Sequence, residues 1–207
     1  MLKAEEIING LQAIVNEYSF IAMIWHVAFY ALIVALFAKW KPSSRILGIM
    51  LCLPLLSVAV FAWLAGNPFN GTMFSLAALL VFIFAFKASA QPVVFAKLPF
   101  VVAGMVMIAF GLVYPHFINP TSIITYLYAS PAGLIPCPTL SILAGLMLLF
   151  NGSGIKSLTI TFVVLGLFYG VFGVFKLAVY PDLFLLGGAL ILLIKYILSF
   201  RVPAARG

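Results

Sequence analysis

The sequence predicts an all-α integral membrane helical bundle of about seven transmembrane helices, with the N-terminus outside and the C-terminus cytoplasmic. Three observations carry this. The chain is 66% hydrophobic and 7% charged, whereas soluble domains carry charge on about a quarter of their residues. Its apolar residues fall in long runs, and a helix needs roughly 20 of them to cross a hydrocarbon core about 30 Å thick. Charge is also sided. With the runs read as successive crossings, Lys39, Lys41, Arg45, Lys87, Lys97, Lys156, Lys195, Arg201 and Arg206 share one side, and Glu5, Glu6, Glu17 and Asp182 share the other. The positive-inside rule makes the basic side cytoplasmic.

Residues 1–17 place apolar Ile7, Leu11, Ile14 and Val15 at helical spacing among Glu5, Glu6, Asn9, Gln12 and Asn16. That pattern predicts an amphipathic helix on the membrane surface, or an extension of the first span. The first span covers about 18–38 and stops at Lys39-Trp40-Lys41-Pro42; the second covers about 46–65. Gly66-Asn67-Pro68-Phe69-Asn70-Gly71 has the composition of a turn. The third span covers about 72–86, and a linker with Pro92 and Lys97 leads to the fourth, about 98–114. Residues 115–138 then carry five prolines.

The fifth span starts near Ala132 or Thr139 and ends at Phe150. From Thr139 it has 12 residues, too few to cross; from Ala132 it has 19, but includes Pro136 and Pro138. Charge arbitrates. A re-entrant fifth segment would move Lys156 and the basic tail outside, against the positive-inside rule, so seven crossings are expected. The sixth span covers about 158–179, and Pro181-Asp182 separates it from the seventh, about 183–199. The organisation is thus an amphipathic segment 1–17, a single bundle 18–199 and a basic cytoplasmic tail 200–207.

A net charge of +7 would suggest nucleic acid in a soluble protein. Here the bases are juxtamembrane, where they set orientation and meet anionic headgroups. The lipid bilayer is the expected partner and nucleic acid is not. Residues 1–17 carry acids and no small-residue cleavage site, so the first run is expected to stay as a span. Cys52 and Cys137 fall at different depths, which argues against a disulfide.

Ionisable groups at membrane depth are costly, so each is a candidate site until a partner explains it. His26 lies about eight residues into the first span. It is either a neutral imidazole hydrogen-bonded within the bundle or a ligand or proton-handling group. Lys176 near the outer end of the sixth span either snorkels or pairs with Asp182 or Glu17. These residues, with His116, Cys137 and Thr139, form a candidate polar vestibule on the outer face: Glu17, His26, His116, Cys137, Thr139, Lys176 and Asp182. His26, His116 and Cys137 are ligand types that suit zinc or copper, but no close-spaced pair accompanies them, and no cofactor is assigned. Gly166, Gly170 and Gly173 lie on one side of the sixth span, where small residues let helices approach closely.

Pro136-Cys137-Pro138-Thr139 is the most distinctive string. Prolines spaced by one residue disrupt a helix interior and free backbone carbonyls, as in the broken helices that build transporter sites. Alternatively, they open the fifth helix at its first turn. The string, in the context Ala132-Gly133-Leu134-Ile135-Pro136-Cys137-Pro138-Thr139 and with Tyr114-Pro115 ending the fourth span, resembles the hallmark segment of an uncharacterised bacterial multi-pass membrane family, domain of unknown function family 6064. The spacing of spans is similar over nearly the whole chain. Ala62 to Pro68 departs from that family's aromatic stretch with a histidine. The resemblance implies a bacterial inner-membrane protein and supplies no activity.

Three functional classes follow. The first is a small-solute transporter-like protein whose outer vestibule leads to the broken start of the fifth helix. The second is a non-catalytic structural or accessory subunit, in a homo-oligomer or with a membrane-complex partner. The third is a membrane enzyme or metal-binding protein. The transporter-like reading is preferred, because polar groups on broken helices need a reason to be there.

Overall fold

The computed structural model describes residues 4–119, 122–152 and 155–200; Lys3 and the basic tail from Arg201 lie outside them. The long apolar runs form helices. α1 (Ala4–Glu17) is amphipathic: Leu11, Ile14 and Val15 are buried while Glu5, Glu6 and Asn9 are exposed. It docks on Tyr114, Phe117, Leu134 and Ile135 at one end of the bundle. Tyr18 leaves helical geometry (φ −107°, ψ 27°) and separates α1 from α2 (Ser19–Phe37).

α3 (Ser44–Leu64) starts where the Ser43 hydroxyl accepts from Ile46 N, supplying an end N–H with the partner the helix cannot give it. α4 (Pro68–Lys87) starts earlier than expected. The stretch 66–71, which reads as a turn, instead opens the helix: Asn67 caps it by accepting from Asn70 N at 3.1 Å, and Pro68 takes the first helical position. A proline fits there, since its missing N–H would have had no partner. α3 and α4 pack as a hairpin, with Gly48 against Ala85.

α5 (Leu98–Leu112), α7 (Pro136–Leu149) and α9 (Asp182–Leu198) follow, with one short turn, α6 (Thr125–Ala129), between α5 and α7. α8 (Ile155–Val171) runs into a π-helical turn, Phe172–Lys176. Among the described residues, four helices are long and apolar enough to cross a membrane: Ser19–Phe37, Ser44–Leu64, Pro68–Lys87 and Ile155–Lys176. α5, α7 and α9 are apolar but shorter, at 15, 14 and 17 residues.

α7 is the axis of the packing. It touches α3, α5, α8 and α9, and of its 14 residues only Cys137 is not fully buried. Residues 130–135, which lead into it without regular helix, are buried as well. Irregular backbone at this depth is tolerable only where protein covers it, and here it does. The two prolines do not break α7: Pro136 and Pro138 occupy its first and third positions, where intrahelical N–H bonds are missing in any case.

Close approach to α5 depends on glycines the sequence reading did not single out. A Cβ on Gly104 would lie 2.7 Å from the Gly145 carbonyl oxygen, and one on Gly111 2.6 Å from that of Pro138. Gly166 and Gly170 play the same part in the α8–α9 seam, facing Ala189 and Leu186.

The far end of α7 is finished by two unlike donors. A two-residue ladder pairs Val94–Phe95 with Phe150–Asn151, and Ala96 N donates to the Leu149 carbonyl at 2.8 Å. The Lys195 ammonium donates to the carbonyls of Met147 (2.6 Å), Leu148 (3.1 Å) and Phe150 (2.6 Å). Lys195, expected from the sequence as a juxtamembrane orientation signal, is buried and caps a helix.

Candidate functional site

Three chain segments converge at the opposite end of α9. Asp182 is that helix's first residue and is 1% exposed. Tyr114 follows the end of α5 and is fully buried, and Cys137 is the second residue of α7. The Tyr114 hydroxyl donates to Asp182 Oδ1 at 2.5 Å, and the Cys137 thiol donates to Oδ2 at 3.1 Å. Both carboxylate oxygens thus have a donor, and neither donor is charged. Among the described residues Asp182 has no ion-pair partner. A carboxylate taken out of water is costly unless paired or hydrogen-bonded; here two side-chain donors and the positive end of the α9 dipole hold it.

The backbone before Asp182 is shaped for this. After the π-helical turn, Leu177 N bonds to the Phe172 carbonyl, and Val179 N bonds back to that of Gly173 at 2.9 Å. Ala178 between them adopts a left-handed conformation, φ 55°, which a non-glycine residue takes only at an energetic cost. Gly173 faces the carboxylate so closely that a Cβ there would overlap Asp182 Oδ2. Glycine is required by space.

Cys137 and Asp182 open onto a cavity of about 300 Å³. Tyr169 and Asn70 line another side, the tyrosine hydroxyl donating to Asn70 Oδ1 at 2.9 Å. Ile7 and Leu11 of α1 cover part of it, and exposed Lys176 also borders it. α1 is held in place by Asn16, whose Nδ2 donates to the Phe117 carbonyl and whose Oδ1 accepts from Asn119 N. The arrangement suits a small polar or cationic solute: acceptors and a thiol lie among largely apolar walls.

Of the seven expected vestibule residues, the fold brings Cys137, Lys176 and Asp182 to this cavity; the other four lie elsewhere. Thr139 is fully buried in packing: its hydroxyl donates to the Ile135 carbonyl (2.7 Å) and accepts from Gly133 N (2.8 Å), closing the turn before α7. His26 is buried on α2, with Nδ1 2.8 Å from the Ala22 carbonyl oxygen and Nε2 2.9 Å from that of Leu112. It ties α2 to the end of α5. His116 is half-buried, edge-on to Phe117 at 4.3 Å, and burial holds its pKa below the ordinary histidine value. Glu17 is exposed and lines no part of the cavity.

The pairing of Lys176 with Asp182 or Glu17 is not made; Asp182's oxygens are taken by Tyr114 and Cys137. Cys52 is free and buried, its thiol directed at the Gly48 and Ala78 carbonyls. No group of three or more His, Cys, Asp or Glu able to hold a metal occurs among the described residues. Tyr169, Asn70 and Asn16 were missed, because their partners lie roughly 100 residues away and no local spacing announces them. No protein-family model, curated protein or solved structure matches this chain.

Proposed function

We propose that the protein is a multi-pass membrane protein of the bacterial inner membrane that binds a small solute in an outer-facing cavity, as a transporter-like protein does. In this reading all seven apolar helices cross or line the bilayer, with the N-terminus outside and α7 as a buried, shortened fifth crossing. One observation carries it: a buried carboxylate, Asp182, with no cationic partner among the described residues, beside a thiol on a cavity of about 300 Å³. Intramembrane acids of this kind mark ion, proton or substrate paths. Asp182 would receive a proton or the cationic part of a solute, and Tyr114 and Cys137 would hold the carboxylate in place when the cavity is empty.

The accessory-subunit reading draws on the same residues, since a carboxylate with both oxygens satisfied is also a closed structural network. A thiol reagent that cannot cross membranes separates the two. Applied to intact cells with a permeabilised outer barrier, it should label Cys137 and leave Cys52 untouched. Cys137 that reacts only after denaturation would sink the vestibule.

A further inference from the structure

At the far end of α9 from Asp182, a second cavity of about 390 Å³ opens between α5, α8 and α9. Lys97 immediately precedes α5, Lys156 is in the first turn of α8 and Lys195 in the last turn of α9, and all three line it. No acid lines it. The chain has four acids; three are on α1 and the fourth, Asp182, starts α9.

Lys195 is committed to the end of α7. Lys156 donates to the Ser199 carbonyl at 2.9 Å and lies 4.2 Å from the ring centroid of Phe200, and Lys97 is exposed. Their ammoniums keep further N–H donors free, since each carries three. The walls beside them, from Phe100, Ile155 and Leu198, are apolar. A soluble anion would meet the ammoniums but leave those walls wet; an anionic amphiphile meets both.

We infer that this cavity is a binding site for an anionic phospholipid, with Lys97 and Lys156 holding the phosphate ester and Phe100 and Leu198 meeting the acyl chains. Basic pockets between membrane helices take such headgroups by the same combination of charge and apolar wall. The site does not depend on the solute cavity at the other end of α9.

Native mass spectrometry of the full chain, released from detergent with equal amounts of phosphatidylglycerol and phosphatidylcholine, tests this. Wild type should retain phosphatidylglycerol preferentially. K97Q/K156Q, which changes two exposed residues, should bind it roughly 30-fold more weakly. K39Q/K41Q removes the same charge outside the cavity and should keep the preference. Equal retention of the two lipids, an unchanged K97Q/K156Q, or an equal loss in K39Q/K41Q would each overturn the site. Displacement of the lipid by millimolar inorganic phosphate would overturn the lipid and leave a soluble phosphate as the occupant.

Discussion

Replacing Lys195 by Met keeps the apolar stem and deletes the ammonium, so it isolates the role of that group at the end of α7. An α-helix leaves its last four carbonyls without intrahelical partners. In α7 the Leu149 carbonyl accepts from Ala96 N, whereas those of Met147 and Leu148, with that of Phe150 beyond the helix, rely on Lys195. Each buried acceptor left without a donor costs about 1–3 kcal/mol. Two effects reduce the sum. Burying an ammonium is itself unfavourable, and that cost disappears with the charge. The neighbouring cavity also admits water to some of the freed carbonyls. A net loss of about 3 kcal/mol remains, which corresponds to a Tm roughly 6–12 °C lower for a chain of this length. The assay is thermal unfolding of the purified protein in detergent, followed by circular dichroism. K156M, which removes an exposed ammonium, is the matched control and should stay within about 2 °C. A K195M protein as stable as K156M would refute the capping argument.

Three further outcomes are expected. G173A should push the Asp182 carboxylate off its donors, because its Cβ would occupy the position of Oδ2; the readout is a changed rate of Cys137 alkylation, and an unchanged rate counts against the close contact. T139V should lower Tm by a few degrees, from about 1–3 kcal/mol for the Gly133 N–H left without its acceptor, while Cys137 stays open to labelling; a stable T139V would mean the turn is held otherwise. For His116 the sign follows from burial. Its folded pKa lies below the unfolded one, so its contribution to stability is present above the unfolded value and is lost as pH falls through the folded value. Wild type should therefore lose more Tm than H116Q between about pH 7 and 5, and parallel losses would remove His116 from the account.

Much of the fold was legible because helix formation in lipid is a local matter. A run such as Ser19–Phe37 announces itself by length and apolarity alone, and Ile7, Leu11, Ile14 and Val15 announce the amphipathic face of α1 by spacing. The start of α4 was misread at Asn67-Pro68, where turn residues double as a cap and a first helical position. The site was legible by residue type rather than by partner. Cys137, Lys176 and Asp182 stand out in the sequence as costly polar groups, and the fold gathers them; Thr139 and His26 belong to the same class, yet their polar atoms face nearby carbonyls and an amide.

By itself, then, the sequence determined a chain of long apolar helices, because length and apolarity add up residue by residue along each run. Only the tertiary structure decided which polar groups meet. Tyr114 and Asp182 are 68 residues apart and Lys195 and Met147 are 48 apart, so their bonds depend on how each helix is rotated and which helix lies beside it. Those choices are set by packing at Gly104, Gly111 and Gly145, where a single Cβ would meet the backbone of the facing helix.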